Sequence, residues 1–173
     1  MSRHAPIAGG DRRWAVAAAG VAVAALLVAA CGDGGGDDAD RQDAVAARGA
    51  EVMPFDLDAT THRFAPVDDG LIQTVVADDP GDAEQVGLIR EHLTHEADRF
   101  TEGDFGDPAT IHGHDMPGLA ELEAGAGGIR IAYDEIEGGA RIAYTTTDPA
   151  LVSALHRWGE AQVTDHGAHA EHG

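Results

Sequence analysis

Lysine and asparagine are absent from this 173-residue chain, and cysteine occurs once, as Cys31. Without lysine there is no Schiff-base amine and no P-loop ammonium to hold phosphate. Without asparagine there is no N-glycosylation acceptor. A single cysteine cannot close a disulfide within the chain. Aromatic residues make up only 5%, and the abundance of Ala and Gly points to a compositional bias. Serine occurs at Ser2 and Ser153 alone. Ser153 falls inside an expected helix with no Gly-x-Ser-x-Gly around it, which argues against serine-hydrolase chemistry. Gly125-x-Gly127-Gly128 opens a strand-like run rather than a helix, so it is no phosphate cradle. Positive charge is scarce: 11 Arg face 31 Asp+Glu, a net charge of −20. A field of that sign repels nucleic acid.

The N-terminus reads as an address. Arg3, Arg12 and Arg13 precede an uncharged apolar run over 14–30, and Val28-Ala29-Ala30-Cys31 follows. A charged segment, an apolar segment and small residues before a cleavage point describe an export signal. The run is short for a comfortable membrane span. Val28-Ala29-Ala30-Cys31 resembles a bacterial lipobox, and the resemblance implies that Cys31 becomes the lipidated N-terminus. The expected protein is therefore exported and held to the outer face of the cell membrane through lipid at Cys31. Arg12-Arg13 leaves the general secretory and twin-arginine routes both open.

The expected organisation has four parts: a lipoprotein signal peptide over 1–30, a flexible Gly/Asp-rich tether over 31–51, one globular domain over 52–165, and a His-rich tail over 166–173. The tether carries too few large apolar groups to offset its ordering entropy. Thr61–Phe64 and Leu71–Val76, joined by Asp68-Asp69-Gly70, read as a hairpin. Asp79-Pro80 reads as the start of a helix reaching about Phe100, with Val86, Ile89, Leu93, Ala97 and Phe100 on its buried stripe. Residues 104–118 read as a loop with one helical turn, followed by a short helix over Leu119–Ala124. Gly128–Ile136 and Ala140–Thr147 alternate as a second hairpin across Glu137-Gly138-Gly139. Asp148-Pro149 starts the last helix, over about 149–164, with Leu151, Leu155, Trp158 and Gln162 buried. The fold class expected is α+β: a four-stranded, mainly antiparallel sheet from two hairpins, with two main helices on one face, in ββα-ββα order.

Histidine stands out. Nine of the ten follow Cys31. Outside the cytoplasm, with no thiolate competing, imidazoles suit copper, zinc or nickel. A thioether shifts the choice toward copper, above all Cu(I). The segment His112-Gly113-His114-Asp115-Met116 concentrates such donors. The candidate ligands are His62, His92, His112, His114, Met116, His156 and His166, with Met53 as a second thioether. His95 points away from the apolar stripe and reads as solvated. Asp104, Asp107 and Asp115 read as an acidic surface, and Asp165-His166 as an oriented acid–base pair.

The stretch from Met53 to His166 resembles a family of small exported bacterial proteins with no firmly established activity. Met53-Pro54-Phe55-Asp56-Leu57, Thr60-Thr61-His62-x-Phe64, Ile89-Arg90-Glu91-His92-Leu93, Asp104-Phe105 with Ile111-His112-Gly113, Met116-Pro117-Gly118-Leu119, and Leu155-His156-x-Trp158 with Asp165-His166 carry the resemblance. The name aspartate carbamoyltransferase is sometimes attached to such chains. That enzyme is a longer cytoplasmic two-domain protein with a Ser-x-Arg-Thr phosphate loop and a catalytic lysine, neither of which is present here.

The expected function is extracytoplasmic binding or handling of a transition metal: copper first, zinc second. One alternative is a hydrolase or transferase using a His/Asp cleft around His62, His92, His112, His156 and His166. Another is a non-catalytic envelope protein whose acidic surface meets a partner. The expected partners are the membrane, through lipid, and a metal ion, with no nucleic acid.

Overall fold

The computed structural model describes residues 34–173. The segment expected to be an export signal, with Cys31, lies outside the described residues. None of the helices among them is long and apolar enough to cross a membrane.

The first element, α1 (Gly34–Val52), occupies the segment expected to be a tether. Val45 and Gly49 are buried along it, Val45 completely. Arg48 donates to the Ile111 carbonyl at 2.6 Å, and Arg41 reaches the C-terminal end of the domain. Spaced four and three apart, Val45, Gly49 and Val52 make a narrow helical stripe, and packing rather than propensity holds it.

After a 3-10 turn at Leu57–Ala59, β1 (Thr60–Val67) and β2 (Gly70–Ala77) form the first hairpin. The next helix, α2 (Ala83–Thr101), starts later than expected. Asp79 accepts from the Gly81 N–H, making a local turn, and Asp82 takes the capping role by accepting from Glu84 and Gln85 N–H. Two short helices follow, α3 (Gly106–His112) and α4 (Leu119–Gly125), then the hairpin of β3 (Arg130–Ile136) and β4 (Gly139–Thr145). Asp148 caps α5 (Pro149–His166), with Pro149 in its first turn.

The class is α+β, with five strands rather than four among the described residues. Their order is β3-β4-β2-β1-β5. The extra strand, β5 (Ala170–His172), lies in the segment expected to be a His-rich tail. It runs parallel to β1, pairing Ala170 with His62 and His172 with Phe64. An Arg63–Glu171 ion pair adds to the backbone bonds.

Alternation decides what each face does. His62, Phe64, Leu71, Val75, Ala140, Ile142 and Tyr144 point to the covered face, where α2 and α5 pack. Arg63, Thr74 and Arg141 occupy the wetter one. Trp158 of α5 sits at the centre of the core, edge-on to Phe64, Phe100, Phe105 and Tyr144. Burying each such ring contributes about 1.5–3 kcal/mol. Tyr144 keeps its hydroxyl satisfied by donating to Gln73 Oε1 at 2.7 Å.

Candidate metal centre

Four of the expected ligands meet at one cavity. His62 comes from β1, His92 from α2, His112 from the end of α3 and His166 from the end of α5. They line a cavity of about 40 Å³, together with Met53, Glu96, Asp107, Trp158 and Gln162.

Local structure explains each placement. His62 lies on the covered face of β1 and is almost wholly buried. His112 is the last residue of α3, where Gly113 turns the chain away at φ +97°, a left-handed value favouring glycine. His166 ends α5 one residue before Gly167. His92 stands on the edge of the α2 stripe, half-buried.

The rings touch. His62 and His166 have centroids 4.9 Å apart, and His166 and His112 5.0 Å apart. Phe55 lies between His62 and His92, at 5.8 and 5.6 Å. His112 is fixed from behind: its Nδ1 stands 2.9 Å from Asp165 Oδ2. Arg41 in turn grips both oxygens of Asp165, at 2.5 and 2.7 Å. With Nδ1–H donating to the carboxylate, the Nε2 of His112 carries a free lone pair.

Burial keeps the imidazoles neutral. It lowers His62 and His92 to about 4. It lowers His112 against the upward pull of Asp165, and takes His166 well below its ordinary value. Glu96 goes the other way. Burial, a hydrogen bond with Asp107 and the Asp107 charge raise it to about 8, against the pull of Arg99, so it holds a proton at neutral pH.

Among the described residues, two buried polar atoms have no hydrogen-bond partner, His62 Nε2 and Trp158 Nε1, and both residues line this cavity. A buried polar atom left unpaired costs about 1–3 kcal/mol. The indole can only donate, so it calls for an acceptor; the imidazole nitrogen donates or accepts according to its tautomer, and in the accepting tautomer it can meet an electrophile.

The other expected ligands go elsewhere. His114 is exposed. Met116 is buried in the apolar core and does not line the cavity. The donors concentrated in His112-Gly113-His114-Asp115-Met116 are not brought to one site: α3 ends at His112, Gly113 turns the chain, His114 is exposed and Met116 enters the core. His156 donates through Nε2 to the Val67 and Gly70 carbonyls, at 3.0 and 2.9 Å, and closes the end of the β1–β2 hairpin. His95 is exposed, as the helical pattern requires. Asp165 orients His112 rather than its neighbour His166. Asp104 and Asp107 pair with Arg99.

Sequence reasoning missed Arg41 and Glu96. Arg41 falls in the segment whose composition predicts a tether. Glu96 follows from the α2 stripe, since it lies three residues after Leu93 and four before Phe100 and so must face inward.

Among the described residues, no group of three or more His, Cys, Asp or Glu side chains already has its donor atoms gathered to hold a metal ion. The rings are neighbours, but they meet by faces and edges. Comparison of the chain with family models, with curated proteins and with solved structures finds no match.

Proposed function

We propose that this is an exported, lipid-anchored protein that binds a transition-metal ion, copper in preference to zinc, in the cavity formed by His62, His92, His112 and His166. The observation that carries the reading is the unpartnered Nε2 of His62 in a cavity shared with three further neutral imidazoles. Ring centres roughly 5 Å apart suit two imidazoles on one ion, because ~2.1 Å metal–nitrogen bonds at a tetrahedral angle impose about that spacing. The Asp165 carboxylate behind His112 is the support a metal-ligating imidazole ordinarily has. Met53 offers the thioether that favours copper. Uptake needs the His62 and His166 rings to rotate until their nitrogens converge; His112 is already held.

Volume separates this reading from the alternative of an enzyme. Substrate pockets run to about 300–1,000 Å³, against about 40 Å³ here, room for an ion and its water. The Asp165–His112 pair has the geometry of an oriented general base, yet among the described residues no Ser, Thr or Cys lines the cavity to act as its nucleophile. Metal-free turnover of a small substrate, abolished by His112→Ala, would favour the enzyme.

The test is titration of chelator-stripped protein with Cu(I), Cu(II) and Zn(II). One ion per chain, bound far more tightly than by a scrambled His-rich peptide, is the expected result. Affinity no better than the peptide's overturns the reading. The anchor is tested separately: Cys31→Ala moves the protein from the membrane fraction to the soluble one.

A further inference from the structure

The two outer edges of the sheet are finished differently. At one, β5 covers β1 over His62–Phe64, and Pro66, which has no N–H to offer, follows. At the other lies β3, which among the described residues pairs with β4 alone. It is seven residues long, holds neither proline nor glycine, and has no buried residue. Ile131, Ala132, Tyr133 and Ile136 are half-buried on it. A free edge of that length and composition is a template for another strand.

Register decides which groups the edge offers. Ile136 pairs with Gly139 across a two-residue turn, and the pair closing such a turn exchanges both backbone bonds. Alternation then turns the N–H and C=O of Ala132 and Asp134 toward β4, and those of Ile131, Tyr133 and Glu135 outward.

We infer that β3 is the interface with a second copy of this chain, the two strands pairing antiparallel about a two-fold axis at Ala132. In that register the outward groups of Ile131 meet those of Tyr133 in the second copy, and Arg130 stands opposite its Asp134. Each contact occurs twice.

Charge selects both the occupant and the register. Every other arginine among the described residues has an ion pair or a side-chain hydrogen bond; Arg130 has neither. Moving the axis to Ile131 or Tyr133 sets Arg130 against Ala132 or Ile136 and pairs no opposite charges. With the axis at Ala132, the smallest side chain of the strand meets itself and both arginines are answered. On the α2 side a groove of about 480 Å³ runs beside the edge, lined by Arg90, Thr94, His95, Tyr133 and Glu135. Residues opposite each other in a ladder share a face, so Ile131 of the second copy lies beside Tyr133 over this groove.

The test places a thiol on the axis. Opposite residues that exchange no backbone bonds have Cα atoms about 4.5 Å apart, a separation a disulfide spans. Ala132→Cys in the full chain, oxidised with diamide, is expected to give a covalent dimer on a non-reducing gel. The unsubstituted chain and Ala143→Cys, one strand further in on the same face, are expected to give none. Sedimentation of the unsubstituted chain is expected to show a monomer–dimer equilibrium. Arg130→Asp and Asp134→Arg each set like charges opposite one another and should weaken association about tenfold. Mixing these two variants should restore it, because each then meets the opposite charge. All these side chains are exposed or half-buried, and circular dichroism checks each fold. A monomer at every concentration, a cross-link at position 143 as strong as at 132, or a mixture that associates no better than either variant overturns the inference.

Discussion

Asp165 Oδ2 stands 2.9 Å from His112 Nδ1, and the same carboxylate is held at both oxygens by Arg41 of α1. Three residues from three helices are thereby locked in sequence, and the ring at the end is aimed. Of the four imidazoles that line the cavity, His112 is the one held by a carboxylate, and on the proposed reading it is the first ligand of an incoming ion.

Asp165→Asn keeps the shape and removes the charge. Outer-shell changes of this kind cost about 10–100-fold in metal affinity. Competition titration against a chelator should show a loss of that size, with far-ultraviolet circular dichroism unchanged. An unaltered affinity would separate the pair from metal binding.

The inner imidazoles and the bystanders should part cleanly. His62→Ala and His166→Ala each lower affinity by at least about 100-fold. His95→Ala and His114→Ala, both at exposed positions, leave it unchanged. His156→Ala leaves affinity intact and lowers stability by about 1–3 kcal/mol, because it strips the Val67 and Gly70 carbonyls of their donor. The readouts are metal titration and urea unfolding.

The sequence showed the sheet and the main helices plainly, because alternation in the hairpins and the Val86–Phe100 stripe are strong periodic signals. It showed much less of the site. His62, His92, His112 and His166 could be named, but nothing local distinguishes them from His114 or His156. What joins four and discards two is the end of α3 and the register of β1, both tertiary facts. α1 stayed hidden because Gly and Asp swamp its short stripe, and the composition that argues for a tether is overruled by Val45, Arg41 and Arg48 finding partners. β5 stayed hidden because three residues carry no period; pairing with β1 creates it.

Acid should destabilise the apo protein. His62 and His92 sit near 6.5 unfolded and about 4 folded. Between those values the unfolded state binds more protons, so stability falls as pH drops from about 6.5 to 4 and levels off below. Glu96 has the opposite sign. It goes from 4.5 unfolded to about 8 folded, so the folded state binds the extra proton and stability declines as pH rises from 4.5 to 8. Where the two windows overlap the two histidines outweigh the one glutamate, so urea unfolding across pH 4–9 should give a maximum near pH 6.5. In Glu96→Gln the alkaline slope should flatten, with a gain on the order of 1–3 kcal/mol at pH 8.

The role of α1 has a simple check. Val45 is fully buried in the core. Val45→Ala should cost about 1–3 kcal/mol in urea unfolding, whereas a flexible tether would register no change.

The most direct test of the account is X-ray absorption on the copper-loaded protein, beside the same spectrum from His62→Ala and His112→Ala. The account predicts one ion per chain with imidazole nitrogens at ~2.0 Å, and a weaker imidazole signal in each variant. An ion bound through oxygen alone, or one whose surroundings neither substitution alters, would contradict it.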